Sequence, residues 1–307
     1  MNELRAICAR LPGNELVAAE CHSLTGGLPD VDGVAVCQSI ERLPQAAYLS
    51  LGLRCLAQAL SLDELACQVA ALQLRAERFR LEFLDLTAQA PFSKPQAIRL
   101  IADAIDAYPD LTQPQTRFVI VVQAHALWLG QVLSQTRRSY QLHDAKPYRT
   151  SSSLPSRLAR ALVNLVAPTA ECMLDPFCGT GSLLLEAQAV GLPAFGLDSN
   201  PKMVGMSRRN LAHFGYPAAV ELGDALHCQQ RAGAILTDLP YGRLLEVDYA
   251  AIQQVFKHLV ALAPTAVYLA GQDLTACLLA AGYARVELLR VRKHHTFSRF
   301  VHICNTP

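Results

Sequence analysis

The fold of this chain is decided by residues 172–198, which read CMLDPFCGTGSLLLEAQAVGLPAFGLD. Cys172–Leu174 is short and apolar, as buried strands are, and it ends at Asp175. A turn with two glycines follows, then an apolar helical stretch over Ser182–Val190, then a second apolar strand that ends at Asp198. This succession predicts a strand–helix–strand unit with both acids at the carboxyl edge of a parallel sheet.

The same alternation runs outward across the C-terminal half. An amphipathic helix precedes the unit, with Leu154, Leu158 and Leu162 on one face, and two later strands are again followed by acids, Asp224 and Asp238. The remaining predicted elements are a helix over Pro201–Phe214, strands near Val220 and over Ala234–Thr237, a helix that Asp248 could cap and that runs through Leu262, a strand over Ala266–Leu269, a helix over Thr275–Ala281, and a closing antiparallel hairpin of Val286–Val291 with Phe300–Cys304. The pattern predicts a Rossmann-like α/β domain that binds its ligand at the carboxyl ends of the strands.

The first 136 residues mix strands with helices and contain no glycine-rich phosphate loop. Ser61 and Glu64 have the spacing of a capping box, which predicts a helix start. Phe118–Val122 and Leu127–Leu133 are apolar runs that predict a hairpin. The other predicted elements are strands at Leu4–Cys8, Gly33–Val36 and Arg78–Leu86, helical stretches between and after the first two strands, and a helix from Ser93 to about Ala107. This region is therefore expected to be α+β.

Composition excludes several classes of protein. The chain has 307 residues, of which 51% are hydrophobic and 17% charged, so it is expected to be folded and not disordered. No apolar run reaches the ~18 residues that span a bilayer, and the first residues lack an apolar signal core, so we expect a cytoplasmic protein without membrane segments. The ten cysteines form no C-x-x-C pair, so no metal is expected. A net charge of +1 excludes a generally basic surface but allows a local basic patch.

Such a basic patch occurs at residues 137–160. This segment has either of two interpretations, a solvated linker or a strip that binds an RNA backbone between two domains. The candidate RNA-binding residues are Arg137, Arg138, Lys146, Arg149 and Arg157, with Arg243 farther along the chain.

The glycine turn after the first strand of the unit is suited to a cofactor. Glycines let a ligand approach the backbone and leave the N-terminus of the following helix open. The dinucleotide fingerprint would need a glycine at Leu184, and the turn has no lysine, so neither a nicotinamide site nor a phosphate-binding P-loop is favoured. Cys178 is more readily explained as a small residue that fills the turn than as a catalytic thiol.

The acids at the next two strand ends are candidate cofactor ligands. Asp198 can accept hydrogen bonds from both hydroxyls of a ribose, and its alternative role is that of an acid before a helix N-terminus. Asp224 could accept from the amine of an adenine, or it could be an ordinary turn aspartate. The full set of candidate cofactor-binding residues is Asp175, Phe177, Cys178, Gly179, Thr180, Gly181, Asp198 and Asp224.

The loop after the fourth strand, TDLPYG at residues 237–242, indicates the reaction class. It resembles the D/N-P-P-Y motif of methyltransferases that modify exocyclic amines of bases. The lone pair of such an amine is delocalised, and acceptors from Asp238 and from outward carbonyls at Leu239 and Pro240 would favour a pyramidal nitrogen. Tyr241 would offer a face on which a flipped base stacks. Leu239 departs from the motif, where proline is usual, and less preorganisation of the loop is expected.

These motifs together resemble one family, the THUMP-containing tRNA guanine-N2-methyltransferases, especially the archaeal type that acts on guanosine ten of tRNA. The resemblance is carried by SLPSRLARALVNL at 153–165, by DPFCGTG at 175–181 and by TDLPYG. It implies a class I methyltransferase domain with S-adenosylmethionine as methyl donor, bound over the glycine turn with Asp198 on its ribose. It also implies tRNA as the substrate, with N2-methylguanosine or N2,N2-dimethylguanosine as the product.

The resemblance also suggests how the chain is divided. The expected parts are an N-terminal ferredoxin-like subdomain over 1–60, a THUMP-like RNA-binding domain over 61–136, a basic linker over 137–153, and the methyltransferase domain over 154–307. Two alternatives stay open at this point. One is an enzyme that methylates exocyclic amines of ribosomal RNA or DNA, and the other is an RNA-binding protein whose catalytic loop has degenerated at Leu239.

Overall fold

The computed structural model describes residues 3–87, 89–239, 249–294 and 297–307, and the chain forms two compact units. The first unit comprises Met1–Arg10, Leu24–Pro44 and Tyr48–Thr136. The second comprises Leu11–Ser23, Gln45–Ala47 and Arg137–Pro307. The first helix, α1 (Leu16–Thr25), thus lies mostly in the second unit.

The first unit has one seven-stranded sheet in the order β2-β1-β3-β7-β6-β4-β5. In chain order its strands are β1 (Leu4–Cys8), β2 (Val34–Cys37), β3 (Leu49–Ala59), β4 (Arg75–Asp85), β5 (Asp106–Pro109), β6 (Thr116–Gln123) and β7 (Ala126–Gln135). Helices α2 (Leu62–Ala71) and α3 (Lys94–Asp103) pack on the sheet through a core that includes Leu65, Ile101 and Phe79. The predicted α+β class is confirmed, whereas its division at residue 60 into ferredoxin-like and THUMP-like parts stays a prediction.

Local signals in this unit predicted two features correctly. Ser61 caps α2, its hydroxyl accepting a hydrogen bond from the amide of Glu64 at 3.2 Å. Strands β6 and β7 pair as the predicted antiparallel hairpin.

Two other predictions for this unit were wrong. The helical stretch expected after the second strand is largely replaced by β3, which pairs with β1 and β7 near the middle of the sheet. The segment LSLGLRCLAQA is rich in leucine and alanine, and pairing with strands distant in the chain overrides that helical preference. Helix α3 ends at Asp103 and not near Ala107, because the next residues form β5, which pairs in parallel with β4.

The second unit has its own seven-stranded sheet, in the order β10-β9-β8-β11-β12-β14-β13. Its strands are β8 (Met173–Asp175), β9 (Ala194–Asp198), β10 (Val220–Leu222), β11 (Ala234–Asp238), β12 (Thr265–Ala270), β13 (Arg285–His294) and β14 (Phe297–Asn305). Strands β8 to β12 are parallel, and β13 and β14 form an antiparallel hairpin that pairs with β12. The predicted Rossmann-like sheet with its closing hairpin is confirmed.

The helices that alternate with the strands of this sheet fall into two packed groups. In chain order they are α4 (Ser156–Val166), α5 (Ser182–Ala189), α6 (Pro201–His213), α7 (Tyr249–Val260) and α8 (Thr275–Ala281). Helix α5 packs between α4 and α6, and α7 packs with α8. Phe256, Leu259 and Tyr268 are among the fully buried side chains of the core that α7 shares with the sheet.

Helix α4 is anchored by residues from early in the chain that belong to the same unit. The side-chain amide of Asn164 donates to the Glu20 carboxylate at 2.6 Å, and the Ala47 amide donates to the same oxygen at 2.7 Å. Arg157 Nε donates to the Ala47 carbonyl at 3.1 Å. Asn164 and Glu20 are completely buried, so these contacts are part of the interior of the second unit.

No helix in the described ranges is long and apolar enough to cross a membrane. The same ranges contain no group of three or more histidine, cysteine and carboxylate side chains that could hold a metal ion.

Candidate active site

Asp175 lies at the carboxyl end of β8 and is buried, with 2% of its surface exposed. One carboxylate oxygen accepts from the Thr237 hydroxyl at 2.6 Å and from the Phe177 amide at 3.2 Å. Burial raises the pKa of Asp175 to about 7, with smaller contributions from the charges of Asp238 and Asp198, while the two hydrogen bonds oppose the rise. The carboxyl group therefore supports the turn from beneath and does not project into solvent.

The turn after Asp175 has the backbone that a close-approaching ligand needs. Gly179 and Gly181 have φ values of +51° and +81°, a region that favours glycine. A Cβ at Gly179 would meet no atom within 4 Å, so open space lies above this residue. A Cβ at Gly181 would collide with the Ser207 hydroxyl of α6. The first glycine thus leaves room for a ligand, and the second lets helix α6 pack closely.

Cys178 and Thr180 fill the inside of the turn. Both are buried, and burial, followed by the charges of Asp175 and Asp198, raises the pKa of the Cys178 thiol. A thiol held in this protonated state is a poor nucleophile, which supports the space-filling interpretation of Cys178. The Thr180 hydroxyl lies 3.0 Å from the hydroxyl of Ser153 and therefore ties the turn to the segment that precedes α4.

Asp198 lies at the end of β9, next to the glycine turn. Its Oδ2 accepts from the Gly179 amide at 2.9 Å, and its Oδ1 accepts from the Asn200 amide at 2.9 Å. Asn200 then caps helix α6. Both carboxylate oxygens are thus oriented by backbone amides, and each keeps acceptor capacity for a further donor because a carboxylate oxygen has two lone pairs.

Asp224 follows β10 and is exposed to solvent. Its carboxylate accepts from the Leu226 amide at 2.9 Å and caps a short 3₁₀ helix at Ala225–His227. Asp224, Leu197 and Gly223 are among the residues that line a cavity of about 700 Å³. That volume is within the range of small-molecule sites, so the turn role of Asp224 leaves a binding role open.

Asp238 is the last residue of β11, and its side chain lies close to an arginine of the closing hairpin. Its Oδ2 is 3.9 Å from Nη1 of Arg299, and the two side chains are only 15% and 9% exposed. Leu239 continues the strand, because its amide donates to the Leu269 carbonyl of β12 at 2.9 Å and its side chain is buried in the core. The departure from the D/N-P-P-Y motif therefore has a structural counterpart: a proline at this position could not make that hydrogen bond. Pro240, Tyr241 and Arg243 lie outside the described residues.

The basic segment before α4 has both packed and exposed positions. The Tyr148 amide donates to the Asn210 side chain at 2.9 Å, and a short 3₁₀ helix occupies Ser139–Ala145. Lys146 is 5% exposed, its ammonium donates to the Ser182 hydroxyl, and burial lowers the pKa of Lys146 to about 8. Because the Lys146 side chain is buried, the structure gives no support to the RNA-binding role predicted for it. The other predicted RNA-binding residues within 137–160 are exposed: Arg137, Arg138 and Arg149 before α4, and Arg157 in its first turn.

Sequence reasoning missed two residues of this site. Thr237 was noticed only as the first letter of the TDLPYG loop, yet its hydroxyl binds Asp175. Arg299 directly precedes the predicted strand Phe300–Cys304 and was given no role, yet its guanidinium lies 3.9 Å from the Asp238 carboxylate. Neither contact has a signal in a single sequence, because both depend on which strands lie side by side in the sheet.

Comparison with known proteins agrees with this geometry. Residues 143–267 match the model of the UPF0020 family, described as RMKL-like, methyltransferase domain. This stretch is therefore similar to the methyltransferase domain of that family. The matched range includes the glycine turn, Asp198, Asp224 and Asp238.

Two curated relatives and one solved structure are similar to parts or all of the chain. The tRNA (guanine(10)-N2)-dimethyltransferase of Pyrococcus abyssi is 36% identical over 142 residues, 43% of this chain and 43% of the relative. The tRNA (guanine(6)-N2)-methyltransferase of Thermus thermophilus is 31% identical over 141 residues, 43% of this chain and 41% of the relative. The match thus spans less than half of the length of each curated relative. The crystal structure of TrmN from Thermus thermophilus shares the fold, with a TM-score of 0.54, 20% identity and 99% coverage of both chains.

The residues at the edge of the methyltransferase domain fit S-adenosylmethionine. Asp198 presents two oriented carboxylate oxygens beside the open space above Gly179, which suits a ribose diol. The carboxylates of Asp198 and Asp238 lie at the ends of β9 and β11 on the same edge of the sheet, and negative charge favours a sulfonium cation. These residues therefore fit S-adenosylmethionine in both shape and charge.

Proposed function

We propose that this chain transfers a methyl group from S-adenosylmethionine to the exocyclic 2-amino group of a guanosine in tRNA, at position ten. The observation that carries the proposal is the placement of Asp238 at the end of β11, on the sheet edge where Asp198 and the glycine turn fit the donor. The names of the curated relatives support the choice of a guanine amine in tRNA.

In this proposal each residue has a distinct task. The donor supplies a methyl group on a positively charged sulfur. Asp198 binds the ribose hydroxyls, the glycine turn admits the donor, and Asp224 lies at the adenine end. Asp238 accepts one hydrogen of the guanine amine, and the carbonyls of Leu239 and Pro240 accept the other. The nitrogen lone pair is then directed at the methyl group, which lowers the barrier by orientation and by preorganised charge.

The target base needs a platform outside the helix stack, and Tyr241 is proposed to stack on it. The exposed arginines Arg137, Arg138, Arg149 and Arg157, with Arg243, are proposed to contact the tRNA backbone. We also propose that the ferredoxin-like and THUMP-like parts of the first unit select the tRNA. Because residues 11–23 and 45–47 belong to the second unit, tests of this division use the full chain.

The decisive experiment is methylation of unmodified tRNA by the purified full chain with labelled donor, followed by nuclease mapping and mass spectrometry of nucleosides. We expect N2-methylguanosine or its dimethyl form at position ten. Asp238→Ala should reduce the single-turnover rate by ~100-fold or more, as loss of a preorganised polar contact does, and Asp238→Asn should retain more activity because the amide keeps an acceptor oxygen.

Glu171→Ala, at an exposed position before β8 and outside the lining of the cavity at Asp224, is the matched control and should leave the rate unchanged. A wild-type rate in Asp238→Ala would refute the catalytic role of Asp238. Methylation of ribosomal RNA or DNA in place of tRNA would establish the alternative substrate class, and absence of any transfer would favour a degenerate RNA-binding protein.

A further inference from the structure

Arg299 is a cation in an unusual position for an arginine. Only 8% of its surface is exposed, although its side chain is long and permanently charged. Its Nη1 lies 3.9 Å from Oδ2 of Asp238, whose side chain is 15% exposed. Charges that are removed from water in this way are normally paired, so the contact with Asp238 is a structural feature and not a chance approach on the surface.

Asp238 needs such a partner because it shares the sheet edge with other acids. The charges of Asp238 and Asp198 both act on Asp175, as the raised pKa of Asp175 reflects. Negative charges that lie close together in a partly buried site repel one another, and a nearby cation offsets that repulsion. A guanidinium offsets this repulsion and cannot itself lose its proton within the working pH range.

The backbone at Arg299 is held in place by strand pairing. Arg299 lies opposite Val291 in the β13–β14 hairpin, and the next residue on β14 pairs with Ala270 of β12. The outer edge of β13 is covered in turn, since Asn14 forms a β-bridge with Val291. Strand β14 is therefore paired on both sides near Arg299, and the segment around Asn14 supports the hairpin from outside.

We propose that Arg299 is a positioning residue for methyl transfer, holding the Asp238 carboxylate in place toward the target amine. The proposal rests on the proposed function. At 3.9 Å the contact is an ion pair and not a short hydrogen bond, so Arg299 stabilises the charge of Asp238 without making a strong hydrogen bond to it. Arg299 acts through Asp238 and need not touch the base or the donor.

The test compares Arg299→Met, which keeps length and removes charge, with Arg299→Lys, which keeps the charge. Single-turnover rates with saturating tRNA and donor should fall by about 10- to 100-fold for the methionine variant, the size expected when a charged group loses its partner. The lysine variant should recover part of the rate, and added guanidinium ion should partly rescue the methionine variant. The Kd of S-adenosylhomocysteine should change by less than about twofold, and circular dichroism should show a folded chain. Arg285→Met, at an exposed position on the same hairpin, is the matched control and should match the wild type.

A double-mutant cycle separates positioning from a general effect on the hairpin. Adding Arg299→Met to Asp238→Asn should lower the rate by less than threefold, because the neutral amide at position 238 forms no ion pair that the loss of Arg299 could break. If the two effects multiply fully, or if Arg299→Met alone has the wild-type rate, the positioning role is overturned. Equal losses of rate and of donor affinity would assign Arg299 a structural role and also overturn it. If the wild type does not methylate tRNA, the proposed function itself fails, and that outcome is distinct because it is seen before any variant is made.

Discussion

Replacement of Asp175 by asparagine should make the protein more stable at neutral and alkaline pH. The carboxyl group is completely buried in the second unit, and its pKa rises from 3.8 to about 7, mainly through desolvation. Asparagine is nearly isosteric, and its carbonyl oxygen can accept from Thr237 and Phe177 as the carboxylate does. Asp175→Asn thus removes the buried charge while it keeps the hydrogen bonds.

The magnitude follows from the linkage between proton binding and folding. Between pH 4 and pH 7 the folded chain keeps the Asp175 proton whereas the unfolded chain has released it, so the wild type loses stability as the pH rises. About three pH units at roughly 1.4 kcal/mol each give a loss of about 4 kcal/mol. The asparagine variant has no such proton. Its advantage in free energy of unfolding should therefore grow from near zero at pH 4 to about 4 kcal/mol at pH 8.

Urea denaturation of both proteins at intervals from pH 4 to pH 8, without donor, measures this difference. Thr237→Val is a second variant for the same measurement, because it removes the Thr237–Asp175 hydrogen bond, which favours the ionised form of Asp175. The pKa of Asp175 should then rise further, and the loss of stability in this variant should extend to higher pH. A difference between wild type and Asp175→Asn that does not change with pH, or that changes in the opposite direction, would refute the reasoning.

Three further predictions test other parts of the second unit. Asp198→Ala should weaken donor binding by ~1.5–3 kcal/mol in calorimetric titration, because an oriented carboxylate is lost, and unchanged affinity would remove Asp198 from the site. Leu239→Pro should lower the free energy of unfolding in urea by about 3 kcal/mol through the lost strand hydrogen bond and the smaller buried side chain; equal or greater stability would contradict this account of the altered motif. Asn164→Ala should cost about 1–3 kcal/mol of stability by removing the contact with Glu20, with donor affinity unchanged, and an unaltered unfolding midpoint would show that this anchor contributes nothing.

The sequence alone determined the architecture of the C-terminal half and the set of residues at its edge. Apolar strands, amphipathic helices and a glycine turn are local patterns, and a parallel sheet necessarily places the ends of its strands on one side. Asp175, Asp198, Asp224 and Asp238 could therefore be assigned to one edge before any coordinates were available. The turn at Gly179–Gly181 could also be predicted from its glycines, because positive φ values such as that of Gly181 favour glycine.

Only the tertiary structure decided which groups meet across distant parts of the chain. Strand β3 was mistaken for helix because its partners, β1 and β7, are remote in sequence, and their hydrogen bonds outweigh local preference. Helix α4 is completed by Glu20 and Ala47, and Asp238 is met by Arg299 of the closing hairpin. Such contacts arise from strand order and packing, and long-range packing leaves no periodic signal in a single sequence.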